Sequence, residues 1–211
     1  MKNVVAFLFL FELIYPSESR AQLLKSYGFK LAYTLADQKF NYSNGLTLDT
    51  KKRTGINVGA YVEWLDIPSF SLITQIEYCQ RGTGIEFAQT GNDPTVIGYF
   101  TYYSRLDYVS VPVFLKLSLP TELVSPYILA GPRIDFLLGY EAQNGINSIV
   151  YQDFKKTVVG GSFALGIESA SLLPIHVMAE TRFNVDLMDS YTSENLSVRN
   201  TSFDIWLGVG F

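Results

Sequence analysis

The chain has 211 residues, a formal charge of -4 and 15% aromatic side chains, mostly Tyr and Phe. That length points to one domain. The charge speaks against a basic nucleic-acid binder and against an acidic disordered tail. One His and one Cys leave no internal disulfide and little material for a metal site.

The first 21 residues read as a secretory signal. Lys2 supplies a short positive region, and Val4 to Tyr15 is nearly all apolar, interrupted by Glu12. Ser19-Arg20-Ala21 places small residues at the first and third positions of a cleavage site, so cutting is expected after Ala21. The apolar run falls short of the ~20 residues a helix needs to cross a bilayer. Residues 22–211 are then the mature domain. Cys79 is far from the signal and is not a lipid-attachment site.

Eight segments then alternate in polarity with a period of two, the signature of β-strands. In the first, near Tyr27 to Phe40, Tyr27, Phe29, Leu31, Tyr33 and Leu35 oppose Gly28, Lys30, Ala32, Thr34 and Ala36. The second, near Thr54 to Leu65, sets Ile56, Val58, Ala60, Val62 and Trp64 against Asn57, Gly59, Tyr61 and Glu63. The third, near Phe70 to Phe87, sets Leu72, Thr74, Ile76 and Tyr78 against Ile73, Gln75, Glu77, Cys79 and Arg81. The fourth begins near Tyr99 and is clearest from Tyr108 to Lys116: Val109, Val111, Val113 and Leu115 oppose Tyr108, Ser110, Pro112, Phe114 and Lys116. In the fifth, Pro126 to Tyr140, Ile128, Ala130, Ile134, Phe136 and Leu138 oppose Tyr127, Leu129, Gly131, Arg133 and Asp135.

The sixth, near Val158 to Ser169, sets Phe163, Leu165 and Ile167 against Ser162, Ala164, Gly166 and Glu168. The seventh, near Pro174 to Met188, sets Val177, Ala179, Thr181, Phe183 and Val185 against His176, Met178, Glu180, Arg182, Asn184 and Asp186. The eighth ends the chain, with Phe203, Ile205, Leu207, Val209 and Phe211 against Ser202, Asp204, Trp206, Gly208 and Gly210. Pro112 lacks an N–H for the ladder, and a bulge is expected there.

The connections alternate in length. Asn41 to Lys52, Ala88 to Tyr99, Glu141 to Thr157 and Asp189 to Asn200 are long and polar. Leu65 to Ser69, Pro120 to Ser125 and Ser169 to Leu173 are short, with turn-forming Asp66-Ile67-Pro68, Pro120-Thr121 and Leu173-Pro174. Long loops at one end and short turns at the other are the wiring of an outer-membrane barrel. Greek-key sandwiches do not predict that rhythm.

The two faces differ sharply. One is apolar through every strand centre. The other holds Lys30, Glu63, Glu77, Arg81, Lys116, Arg133, Asp135, Glu168, Glu180, Arg182, Asp186 and Asp204, together with Gly28, Gly59, Gly131, Gly166, Gly208 and Gly210. Small residues suit a strongly curved interior, and eight strands leave a lumen that side chains fill. The expected fold is therefore an all-β, eight-stranded antiparallel up-and-down transmembrane barrel with a polar, side-chain-filled lumen. Tyr33, Trp64, Tyr78 and Phe211 stand on the outward face as girdle aromatics.

Three segments carry a family resemblance. Tyr108-Val-Ser-Val-Pro-Val-Phe-Leu-Lys116, Pro126-Tyr-Ile-Leu-Ala-Gly-Pro132 and Ile205-Trp-Leu-Gly-Val-Gly-Phe211 are similar to strands of the PorT-like outer-membrane β-barrel family. Val109 and Ser110 depart from the Leu and Glu of that pattern. The resemblance implies an outer-membrane location, and for some members an association with type IX secretion. The closing strand also resembles the C-terminal strand of bacterial outer-membrane proteins, which makes Phe211 the expected signal to the barrel-assembly machinery.

The candidate site is a lumen charge network of Glu77, Arg81, Arg133, Asp135, Glu180, Arg182 and Asp186, structural in role because buried charges need partners. His176, with Ser171 and Glu180, is the one candidate for catalysis, and no catalytic, cofactor or metal site is expected. Cys79 reads as a buried small hydrophobe. Tyr99-Phe-Thr-Tyr-Tyr103 is either a sticky patch for partners or part of the outer girdle.

The expected function is non-enzymatic: a structural or accessory envelope protein, linked to secretion, with long loops outside. Its expected partners are outer-membrane lipid, the barrel-assembly machinery and envelope or secretion proteins, with no nucleic acid. Two alternatives stand beside it. One is an outer-membrane enzyme acting on lipid or peptide. The other is a soluble, secreted, lipocalin-like binder.

Overall fold

A computed structural model describes residues 23–46, 48–67, 69–90, 96–142, 151–169 and 175–211. The expected signal segment lies outside these residues, as do Pro68, Ser171 and the Leu173-Pro174 turn. Among the described residues, nine strands follow in order: β1 (Leu24–Tyr42), β2 (Thr50–Ile67), β3 (Phe70–Thr90), β4 (Val96–Ser118), β5 (Val124–Ala142), β6 (Thr157–Ser169), β7 (His176–Asp186), β8 (Tyr191–Thr192) and β9 (Leu196–Gly210).

Each long strand pairs antiparallel with the next, and β9 closes on β1 from Gly28–Gly210 to Tyr42–Leu196. Closure leaves no sheet edge in the wall, as a backbone surrounded by hydrocarbon requires. Eight strands form that wall. The two-residue β8 pairs only onto the outer end of β9.

The side-chain alternation resolves which face looks where. Val111, Phe183 and Leu207 are 37%, 50% and 62% exposed, whereas Arg133 and Glu180 are each 2% exposed. The apolar band is therefore outside and the charges inside. A lipocalin-like cavity would have the opposite polarity, so that alternative is ruled out.

Two expectations are corrected. The bulge expected at Pro112 is absent: pairing with β3 passes from Thr74–Val113 to Glu77–Ser110 with no change of register, and Pro112 keeps Arg133 opposite it on β5. A gap in the ladder, not an inserted residue, absorbs the missing N–H. Register shifts fall elsewhere, between Lys52 and Val58 on β2 and between Asp107 and Tyr108 on β4. The first lies beside Gly82, whose φ of 130° suits glycine alone.

The second correction concerns loops. Ala88 to Tyr99 is mostly strand, since β3 runs to Thr90 and β4 starts at Val96. Asp189 to Asn200 likewise holds β8 and the start of β9. Polar composition suggested loops there, but cross-strand pairing beyond the barrel supplies hydrogen bonds that composition does not report.

Candidate functional site

The lumen is filled in layers, beginning at the long-loop mouth. Residues 151–154, within the β5–β6 connection, fold back into this mouth. Tyr151 and Phe154 are buried there against Phe40, Ile85, Leu106, Tyr108 and Val198. Their rings sit 4.8 Å apart, and Phe154 stacks on Tyr191 at 5.8 Å. The Tyr151 hydroxyl donates to Gln38 Oε1 at 2.7 Å and lies 2.7 Å from Ser104 Oγ. Burial pushes the Tyr151 phenol up to about 12, so it stays neutral. Tyr151 and Phe154 were not anticipated from the sequence. Their only signal was two aromatics in a polar connection.

Below this cap lies a four-member charge layer. Arg81 reaches Asp135 at 2.6 Å and Asp186 at 3.5 Å. Arg133 reaches the same two carboxylates, each at 2.7 Å. Asn200 Nδ2 and Ser190 Oγ donate to the remaining oxygen of Asp186 at 2.8 and 2.7 Å. Two cations and two anions thus neutralise each other, and the outer lone pairs are also satisfied.

The next layer centres on Arg182. It donates to Glu77 at 2.6 Å, Glu180 at 2.5 Å and Gln75 at 3.1 Å. Its guanidinium lies between the rings of Phe114 and Trp206, 4.8 and 4.7 Å from their centroids. That stacking exploits the weak hydration and planarity of the group. Lys30 completes Glu180 at 2.8 Å and sits over Tyr61. Asp204 accepts from Thr34 and from Asn184.

All seven residues expected to form the lumen network therefore lie in these two layers: Glu77, Glu180 and Arg182 in one, Arg81, Arg133, Asp135 and Asp186 in the other. Lys30 and Asp204 complete the second layer. Cys79 is buried and free. Among the described residues, no group of three or more His, Cys, Asp and Glu side chains is placed to hold a metal ion.

The short-turn mouth differs. Lys116 bridges Glu63 at 3.2 Å and Glu168 at 2.6 Å, and Lys25 adds a bond to Glu63 at 2.9 Å. Above them opens a cavity of about 390 Å³ whose lining includes Lys25, Glu63, Glu168 and His176. His176 is thus at this mouth, while Glu180 is held inside by Lys30 and Arg182. The structure does not bring the two into a catalytic pair.

On the outer wall, the apolar band ends at a belt of charges near the long-loop end. Arg105 pairs with Asp107 at 3.2 Å and Glu141 at 2.8 Å, and Arg199 pairs with Asp189 at 2.5 Å. The stretch Tyr99 to Tyr103 lies beyond this belt. Phe87, Phe100 and Tyr102 form a ring cluster with centroids 5.0 to 6.1 Å apart. Ile97 and Tyr99, at 65% and 68%, are among the most exposed apolar side chains.

The model of the family described as "Outer membrane protein beta-barrel domain" matches residues 20–192. The chain belongs to that family. No curated protein matches it. Among solved structures, this outer membrane barrel is similar to OprG from Pseudomonas aeruginosa, with 8% identity over 90% of this chain and 96% of that one, and a TM-score of 0.52. It is also similar to Ail of Yersinia pestis, with 14% identity, 88% and 98% coverage and a TM-score of 0.42. The outer membrane protease OmpT from Escherichia coli gives 10% identity, 92% and 98% coverage and a TM-score of 0.48. At these identities the likeness concerns the fold alone. The barrel is a protein of the outer membrane, seated in lipid through its apolar band.

Proposed function

We propose that this outer membrane barrel is a non-enzymatic accessory protein of the envelope that presents its β3–β4 ribbon to a protein partner outside the cell. The supporting observation is the placement of that ribbon. β3 and β4, at 21 and 23 residues, are the longest strands, and their paired ends continue past the charge belt. There they carry exposed Ile97 and Tyr99 on one face and the Phe87–Phe100–Tyr102 cluster on the other. Aromatics of this kind supply contact area at low entropic cost in interfaces. The filled lumen makes the barrel a rigid base for the ribbon.

In this reading the protein is PorT-like and serves secretion. Residues 1–21 are its cleaved export signal, and Phe211 directs the barrel-assembly machinery. The mixed lumen charges are structural, since each cation of the two central layers is already bonded to a carboxylate.

A photo-crosslinking residue in place of Tyr99 tests the reading in intact cells. The expected result is a discrete protein adduct at position 99 and lipid adducts alone at position 207. Equal, protein-free labelling at both positions would overturn it.

A further inference from the structure

The short-turn mouth is bordered on the lipid side by a second depression. An apolar groove of about 550 Å³ crosses β4, β5 and β6, lined by Leu117, Leu119, Pro126, Ile128 and Leu165 with Tyr127 and Gly166. Ladder partners form its width: Leu117 faces Ile128, and Ile128 faces Leu165. Gly166 borders it through its backbone only, since its missing side chain lies on the lumen side, where the Tyr127 ring fills the space.

Ser69 and Ser118 line both this groove and the polar cavity of the mouth. They are tied together, since the Ser118 N–H donates to the Ser69 carbonyl at 3.0 Å. The β4–β5 turn and the start of β5 divide their residues between the two spaces. Leu119 and Pro126 face the groove, and Pro120, Thr121 and Ser125 face the cavity. An apolar slot in the membrane therefore meets a charged recess at the rim.

We infer that this rim binds one phospholipid of the periplasmic leaflet whose headgroup carries a phosphate and a primary ammonium. An acyl chain occupies the groove, and the headgroup turns over Ser69 and Ser118 into the mouth. The surrounding bilayer supplies the ligand, because the short turns lie at the periplasmic end.

The charges select the headgroup. Lys25 is part-exposed, and Glu63 keeps Lys116 and Ser71 when Lys25 turns away, so Lys25 is available to a phosphate. Glu168 is part-exposed and, among the described residues, its one ion pair is with Lys116 at 2.6 Å. Its other oxygen faces a primary ammonium, which donates hydrogen bonds. A trimethylammonium has no N–H to donate, and a headgroup without a cation leaves Glu168 facing a phosphate.

Native mass spectrometry of the full-length barrel tests this. The protein is refolded into vesicles of phosphatidylethanolamine and phosphatidylcholine in equal amounts with identical acyl chains, then released in mild detergent. The expected result is one retained lipid, phosphatidylethanolamine favoured severalfold. The Lys25→Ala/Glu168→Gln variant should retain both lipids equally. Lys25→Ala alone should lower retention of both lipids, since both carry the phosphate, and so should Leu119→Asp. Folding of each variant is checked by its altered gel migration when unheated. Equal retention of the two lipids by the wild type, or an undiminished preference in the folded double variant, would overturn the inference.

Discussion

Tyr127 stands opposite Gly166 across the β5–β6 ladder, and its ring fills the space that a side chain at 166 would occupy. The phenol also donates to Glu180 at 3.2 Å, and Lys116 lies 4.8 Å over the ring. One missing side chain thus seats an aromatic that links two charged layers.

Gly166→Ala should displace that ring. Overpacking of this kind costs ~1–3 kcal/mol. Urea unfolding in detergent, followed by fluorescence, should show a lower midpoint with an unchanged slope. Gly161 meets only Leu187 at 3.8 Å, so Gly161→Ala serves as a mild control.

Arg182→Met should be among the most damaging lumen changes. It leaves Glu77 and Glu180 without their shared cation, and breaking a buried pair from one side costs ~3–5 kcal/mol. Adding Glu77→Gln should restore part of the loss, because one of the stranded charges is then gone. Melting temperatures of the single and double variants read this directly. Independent, additive losses would contradict the arrangement.

The lipid face should respond by depth. Phe183 lies opposite both Phe163 and Phe203 in the apolar band. Phe183→Arg should cost ~2–4 kcal/mol, whereas Leu123→Arg, at an exposed turn, should cost about 0–1 kcal/mol. Similar losses at the two positions would contradict a band in hydrocarbon.

Phe211 is joined to Tyr27 in two ways. The backbones exchange hydrogen bonds of 2.8 and 3.2 Å, and the rings lie 6.0 Å apart. Phe211→Ala keeps the backbone bonds and removes the ring. If the ring is the assembly signal, the variant should reach the outer membrane at reduced yield in cells yet refold normally in detergent. A matched defect in both settings would assign Phe211 to barrel closure instead.

Some partnerships could be read from strand spacing. Glu180 with Arg182 and Arg133 with Asp135 are two residues apart on one face, and both pairs form. Arg81 with Asp135 and Lys30 with Glu180 could not be read this way. They are 54 and 150 residues apart, and the stagger of the closed ring sets which side chains share a layer. The Tyr151 cap is similar. Its partners Gln38 and Ser104 come from β1 and β4, far from it in sequence.

The sequence by itself determined which residues face lipid and which face the lumen, because the period of a strand is a local property of the backbone. It also set the wiring, through the alternation of short turns and long connections. Only the tertiary structure decided the ion partners, the cap over one mouth and the reach of the β3–β4 ribbon. Those depend on register between distant strands, which closure of the barrel fixes all at once.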